Sequence, residues 1–266
     1  VELYKSLVNR ICSPPVVAEK DQFLIKVAET DDEIQRAQRL RYQVFNIEQG
    51  KGLDSANETK LDCDEFDEYC LHLIVKEKET EDIVGTYRVH PGTVASNGLG
   101  FYSAREYNID GLEKIAQNTL EVGRSCVSPD HRNGSVVALL WAGIGEMLKR
   151  SGMNYLLGCV SLEETDPAVG WALYEYFSEK NNLCPLLKAE PYDKYILPRP
   201  NEKDIRELLD SGRTLIRSIP PLFKGYLRLG VGVCGMPAWD EEFGTIDFLV
   251  LLDLSKLPEK YVRHFL

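Results

Sequence analysis

The sequence predicts an α/β protein in which strands and helices alternate through a core, followed by a C-terminal stretch of different texture. Three observations carry this. Helix-opening signals stand at Thr30 and Asp166. Short apolar runs bounded by polar turns stand at 69–76, 83–89, 120–127 and 154–161. From about residue 186 proline density rises, through Pro191, Pro198 and Pro200 after Pro185.

Taken in order, residues 1–22 read as an arm broken by Pro14-Pro15, and 23–28 as a first strand of weak alternation. Thr30-Asp31-Asp32-Glu33 is a capping-box pattern. The helix it opens carries Ile34, Ala37, Leu40, Val44 and Phe45 on one stripe. After an acidic loop, 69–76 and 83–89 form a hairpin joined by the polar stretch 77–82. Residues 90–118 read as irregular, and 120–127 as a strand. An amphipathic helix follows at 135–150, stopped by Ser151-Gly152. Then come a strand at 154–161 and a helix with Asp166 as N-cap and Pro167 in its first turn. The remainder predicts a short helix at 201–211, a glycine-rich segment at 225–235, an apolar strand at 246–254 and a last helix. The expected organisation is an arm (1–22), a core (23–185) and an α/β extension (186–266) packed on the core.

At 266 residues, 44% hydrophobic and 27% charged, the chain has the profile of a folded globular protein. A net charge of −11 excludes a general electrostatic pull toward nucleic acid. An acidic protein partner would have to meet a local basic patch, for which Arg132, Lys149 and Arg150 are candidates. Seven cysteines, widely spaced and without a C-x-x-C pair, predict reduced thiols in a cytosol rather than disulfides or a zinc site. Four scattered histidines add no metal constellation. No apolar run is long enough for a transmembrane helix, and VELYKSLVNR lacks the apolar stretch of a signal peptide. The chain opens on Val1 instead of Met, which predicts a start inside its gene product or processing.

Four features can carry chemistry. Arg41 falls on the inward side of its helix, four residues after Ala37 and four before Phe45. A buried guanidinium needs a carboxylate, and Asp62, Asp64, Glu65, Asp67 and Glu68 follow. Arg88 repeats the puzzle on a strand, sharing a face with Val84 and Thr86. The third feature is Glu121-Val122-Gly123-Arg124. Regular alternation puts Glu121 and Arg124 on opposite faces, whereas a bulge at Gly123 brings them to one side. The fourth is the strand-to-helix turn of Arg132, Asn133, Gly134 and Ser135, whose N–H groups and guanidinium favour an anion. Cys126 reads as a small buried hydrophobe, although Arg124 beside it could lower its pKa.

These residues resemble a family pattern. Leu40 to Phe45 is similar to the R-Y-x-V-F signature shared by acyl-homoserine-lactone synthases and the ornithine-lipid ("hemolysin-like") N-acyltransferases. Asp64–Asp67 is similar to their D-x-x-D, Gly85–Arg88 to their G-x-x-R and Glu121–Arg124 to their E-x-x-R, in the same order. The ornithine-lipid branch is resembled further in Phe101-Tyr102-Ser103, in Gly123 to Val127, in Pro220 to Gly230, and in Phe243–Asp247 as its F-x-T-x-D. The likeness spans residues 25–266.

It implies a GNAT-like fold, a central mixed twisted sheet flanked by helices and split by a V-shaped opening. The implied donor is a 3-hydroxyacyl thioester on acyl carrier protein, a substrate and not a resident cofactor. Its phosphopantetheine arm would lie by Val127, with the phosphate near Arg132, Asn133, Gly134 and Ser135. CoA-using relatives show R/Q-x-x-G-x-G/A here. The present turn is one residue short and lacks a glycine, which favours the carrier protein over CoA. The implied reaction is aminolysis of the thioester by the α-amine of an amino acid, ornithine first among them. Glu121 would be the general base through water. Backbone N–H groups at the bulge would hold the oxyanion. Arg41, Phe45, Asp64, Asp67, Arg88 and Arg124 would shape the acceptor pocket, arginine suiting a carboxylate and aspartate a second amine. No metal is implied.

The lyso-lipid product suggests a cytoplasmic enzyme with a peripheral membrane contact through Leu222, Phe223, Tyr226, Leu227 and Leu229, core packing being the competing role. Three alternatives remain open: acylation of another amino acid such as glycine, an acyl-homoserine-lactone-type signal synthase, or a non-enzymatic membrane-active protein.

Overall fold

The computed structural model describes residues 2–257, so the expected last helix lies outside the described residues. The strands are β1 (Val16–Lys20), β2 (Phe23–Val27), β3 (Leu71–Glu77), β4 (Ile83–Pro91), β5 (Tyr107–Asp110), β6 (Thr119–Val127), β7 (Tyr155–Leu162), β8 (Lys188–Pro191), β9 (Gly232–Val233), β10 (Ala238–Asp240) and β11 (Thr245–Asp253). Two compact units form, one from residues 2–100 and 117–154, the other from 101–116 and 155–257.

In the first unit the sheet runs β1-β2-β3-β4-β6, each neighbour antiparallel. All nine residues of β4 are buried. A strand buried throughout needs cover on both faces. The helix Asp31–Tyr42 and the helix Ser135–Ser151 both pack on β4. The motif glycine Gly85 explains part of this fit. A Cβ there would stand 2.6 Å from Val136 Cγ1 and 3.3 Å from Leu140 Cδ1, so the helix Ser135–Ser151 sits on bare backbone. Gly85→Val is expected to cost about 1–3 kcal/mol by overpacking, read as a lower denaturation midpoint.

Residues 2–22 are more than an arm. Glu2–Cys12 is a helix that buries Leu7 and Ile11 and packs on the helix Ser135–Ser151. Val16–Lys20 pairs with β2 through a tight turn at Asp21, whose φ is +53°. The signal was an i, i+4 apolar pair too sparse to read without its tertiary partner.

The helix Asp31–Tyr42 begins as expected, Thr30 Oγ1 accepting from the Glu33 N–H. The return bond lands one residue early: the Glu33 carboxylate accepts from the Glu29 N–H at 2.9 Å. The buried stripe is more polar than predicted, comprising Glu33, Ala37, Gln38, Arg41 and Tyr42. The helix then widens into a π-helical stretch, Gln43–Glu48. Its extra residue per turn breaks the 3.6 period, so Phe45 is only half-buried.

In the second unit β11 pairs with β7, β10 and β9, while β5 and β8 form a separate pair. The expected helix Pro167–Glu179 forms with Asp166 capping the Ala168 N–H. Its Phe177 meets Phe223 and Phe248 with ring centroids 5.3 and 5.6 Å apart. Phe223 lies on the helix Pro221–Arg228, within the segment considered for membrane contact. Phe223 and Leu229 are buried and are core residues, while Leu222, Tyr226 and Leu227 are half-buried. Among the described residues no helix is long and apolar enough to cross a membrane.

Candidate active site

One face of the first unit's sheet collects the residues of interest. In β4, Thr86, Arg88 and His90 alternate onto the same face. Arg88 stands opposite His72 of β3 and Gly123 of β6, and His90 opposite Glu121. Glu121 therefore shares the face of Arg88.

Arg124 reaches that face through a bulge. Cys126 pairs with Thr86 and Gly123 with Arg88, so Arg124 and Ser125 together oppose Tyr87. The bulge is one residue beyond the glycine predicted to make it. Arg124 itself takes the left-handed conformation, φ +49°. A non-glycine residue there carries strain of about 1–2 kcal/mol. The extra residue resets the alternation and brings Glu121 and Arg124 to one side.

The arginines and aspartates interlock. Arg41, with no solvent exposure, places Nε 2.8 Å from Asp62 Oδ1 and Nη2 2.6 Å from Asp67 Oδ1, and also donates to the Asp62 carbonyl. Arg88 Nη1 donates to Asp64 Oδ1 at 2.6 Å and Asp67 Oδ2 at 2.9 Å. Arg124 stands 3.5 Å from Asp62 and 3.4 Å from Asp64. Gln38 Nε2 donates to Asp67 at 3.2 Å. Burial raises the Asp67 carboxyl, but Arg41 and Arg88 outweigh it and hold the group well below the carboxylate range. Asp64 shapes the loop as well, its carboxylate accepting from the Phe66 N–H at 2.8 Å.

Glu121 is buried, with an oxygen 3.7 Å from His90 Nδ1. Burial pushes the neighbouring Cys70 thiol up to about 12, against Arg88; Glu121, Asp67 and Asp64 add to the rise. Burial and Arg41 push the His72 imidazole below its ordinary range, and its Nε2 meets the Asp67 carbonyl at 3.2 Å.

Gln38, His72 and His90 were not singled out from the sequence. Their signal was register: His90 sits two residues after Arg88, but its placement against Glu121 depends on how β4 and β6 align. Phe45 lies on the π-helical stretch and is half-buried. Cys126 is buried on the sheet, and burial pushes its thiol up to about 12, outweighing the nearby arginines. By contrast, a hydrogen bond from Cys234 lowers the Cys184 thiol to about 6. Cys184 is expected to be the first cysteine alkylated by iodoacetamide at neutral pH, with a midpoint near pH 6. Peptide mapping after timed labelling checks this.

The turn before the helix Ser135–Ser151 is built around Arg132. Its Nε donates to the Val127 carbonyl at 3.1 Å, and Nη1 and Nη2 grip the Glu48 carboxylate at 2.5 and 2.7 Å. Asn133 Oδ1 accepts from the Ser135 N–H at 3.0 Å, and Gly134 supplies the left-handed residue, φ +91°. Both allow the chain to turn sharply into the helix.

Residues 40–142 match the family model of the acetyltransferase (GNAT) domain. That span holds Arg41, the acidic loop, β3, β4, β6 and the Arg132 turn. Together with the sheet and the site face, this defines an acyltransferase of the GNAT fold. Three curated relatives, each named L-ornithine N(alpha)-acyltransferase, sharpen the assignment. The protein from Brucella abortus is 34% identical over 91% of this chain and 88% of its own length. That from Agrobacterium fabrum is 35% identical over 90% and 84%, and that from Rhodobacter capsulatus 32% over 89% and 92%. The chain belongs to the L-ornithine N(alpha)-acyltransferase family.

Proposed function

We propose that the protein transfers a 3-hydroxyacyl chain from acyl carrier protein to the α-amine of L-ornithine, giving a lyso-ornithine lipid. The acceptor follows the name its relatives carry. The observation that supports acyl transfer on this chain's own residues is the shared face: Glu121 lies on the bulged strand β6, opposite His90 and on the same face as Arg88 of the arginine–aspartate network.

The neutral α-amine attacks the thioester carbonyl. Glu121 takes its proton, through a water, and backbone N–H groups at the bulge receive the oxyanion. Collapse expels the carrier-protein thiolate, which recovers a proton. Arg41, Asp67 and Arg88 are committed to one another and brace the face. Asp64 and Arg124 lie at the more open edge of the network; they would meet the acceptor, and Phe45 would line its approach.

The donor phosphate would take the place of the Glu48 carboxylate on Arg132, since both are fork-shaped anions for one guanidinium. Arg132→Ala is then expected to raise the KM for acyl carrier protein about tenfold, and Glu48→Gln to lower it. The short turn favours carrier protein over CoA. Such a donor puts the reaction on the cytoplasmic side, with the product at the inner face of the membrane.

The direct test is a mass-spectrometric product assay. Purified protein is incubated with 3-hydroxyacyl carrier protein or the matching acyl-CoA, and with a panel of amino acids. N-acyl-ornithine from the carrier protein is the expected product. Transfer to glycine in preference, or acyl-homoserine lactone formation, would replace this reading.

A further inference from the structure

The second unit gathers three side chains that the proposed chemistry leaves unused. Glu106 immediately precedes β5, Cys159 lies in β7 and Asp247 in β11. Leu249 is the partner of Cys159 and Asp247 stands two residues from it, so Asp247 and Cys159 share a face of that strand pair. One ligand atom from each of the three lies within 4.8 Å of the other two, the only such group among the described residues. No C-x-x-C spacing announces it, because its members come from three separate elements.

Glu106 is the member that points to a ligand. It is 5% exposed, and its Oε1 is buried with no hydrogen-bond partner. Its Oε2 faces the cluster and takes a long contact, 3.6 Å, from the Cys159 thiol. A buried carboxyl oxygen in this condition lacks a donor or a cation. The groups around it are fixed. The Glu106 N–H donates to the Ser103 carbonyl at 3.2 Å, and the Glu106 carbonyl accepts from the Tyr192 N–H at 3.0 Å. Thr245 Oγ1 donates to Asp247 Oδ1 at 2.8 Å, and the Tyr107 hydroxyl donates to the Asp247 carbonyl at 2.9 Å. Outer bonds of this kind orient the ligands of a metal ion.

We propose that Glu106, Cys159 and Asp247 bind a zinc ion inside the second unit. The donor set selects the metal: magnesium and calcium take oxygen ligands alone, whereas a thiolate beside carboxylates suits zinc. The spacing agrees. Tetrahedral zinc, with Zn–S of about 2.3 Å and Zn–O of about 2.0–2.2 Å, sets sulfur and oxygen about 3.5–3.7 Å apart. Cys159 Sγ and Glu106 Oε2 stand 3.6 Å apart. Three protein ligands leave the fourth corner of the tetrahedron to water. The role of the ion is structural. Glu106 belongs to the segment 101–116, which joins the second unit between two stretches of the first. The zinc pins this segment to β7 and β11, which follow much later in the chain.

The test uses full-length protein without an affinity tag, stripped with EDTA, loaded with zinc and freed of excess by gel filtration. Elemental analysis is expected to give about one zinc per chain. Loss of an outer partner of a metal ligand costs about 10- to 100-fold in affinity, so Glu106→Gln and Cys159→Ser, each losing a ligand, should weaken zinc binding at least that much. Zinc at about a hundredfold above its Kd should raise the wild-type Tm by roughly 5–10 °C and leave both variants unmoved. Cobalt in place of zinc should give the wild type a thiolate-to-metal absorption band that Cys159→Ser abolishes. If a variant does not fold, the zinc content and cobalt band of the wild type decide alone. A wild type that retains well under one zinc per chain and shows no cobalt band overturns the proposal. So does a folded variant of either kind that holds zinc with wild-type affinity. None of these readouts needs acyl transfer, so the result is independent of the ornithine reading.

Discussion

Glu121→Gln is expected to lower kcat about 10²- to 10⁴-fold at neutral pH with little change in fold or substrate KM, the range lost with a positioned general base. The substitution keeps the shape of the side chain and removes its proton affinity. Glu121 is buried opposite His90 and on the face of Arg88, so a glutamine fits without repacking. Single-turnover assays with acyl carrier protein, run beside a circular dichroism spectrum, read the effect. Near-normal turnover of the folded variant would remove Glu121 from the mechanism. It would leave the fold and the family membership untouched.

Asp67→Asn should be the most damaging change to stability, about 3–5 kcal/mol. Asp67 bridges Arg41 and Arg88, both of them buried. The asparagine leaves two guanidinium groups short of one negative charge in a dry place. For a domain whose total stability is about 5–15 kcal/mol, that is a large share. The exposed Arg132–Glu48 pair makes the contrast, since a pair of its accessibility contributes about 0–1 kcal/mol. Urea denaturation of Asp67→Asn and Glu48→Gln side by side measures the difference. A fall no larger in the first than in the second would show that the network is not a stability element.

The same residue predicts a pH response. The folded Asp67 carboxyl lies below its unfolded value, so its contribution is fully present above the unfolded pKa. It is lost as pH falls from about 4 toward the folded pKa. The wild type should therefore lose stability steeply on acidification below about pH 4, and Asp67→Asn less steeply. Parallel slopes in the two proteins would place the acid sensitivity elsewhere.

Local signals in the sequence determined much of this protein. Caps at Thr30 and Asp166, the hairpin of β3 and β4, the helix Ser135–Ser151 and the long strand β11 all follow from turn chemistry and apolar period. So did the need of Arg41 for a carboxylate, because no buried guanidinium is stable alone. The resemblance of four short motifs also placed the chain in its family. Tertiary structure alone decided which carboxylate each arginine takes, since five acidic residues were on offer within seven positions. It also decided where the bulge falls. Gly123 had the freedom to bend, yet the alignment of β4 with β6 puts the extra residue at Arg124 and Ser125, at the cost of a left-handed arginine. Glu106 shows the limit most clearly. Motif resemblance marked Phe101-Tyr102-Ser103 and Asp247 but not Glu106 itself, and Cys159 and Asp247 stand 53 and 141 positions from it, so only the packing of β5, β7 and β11 brings the three together. Local pattern encodes elements, because the forces that set them act over a few residues. Pairing and charge partnership are set by folding, which brings distant side chains out of water together.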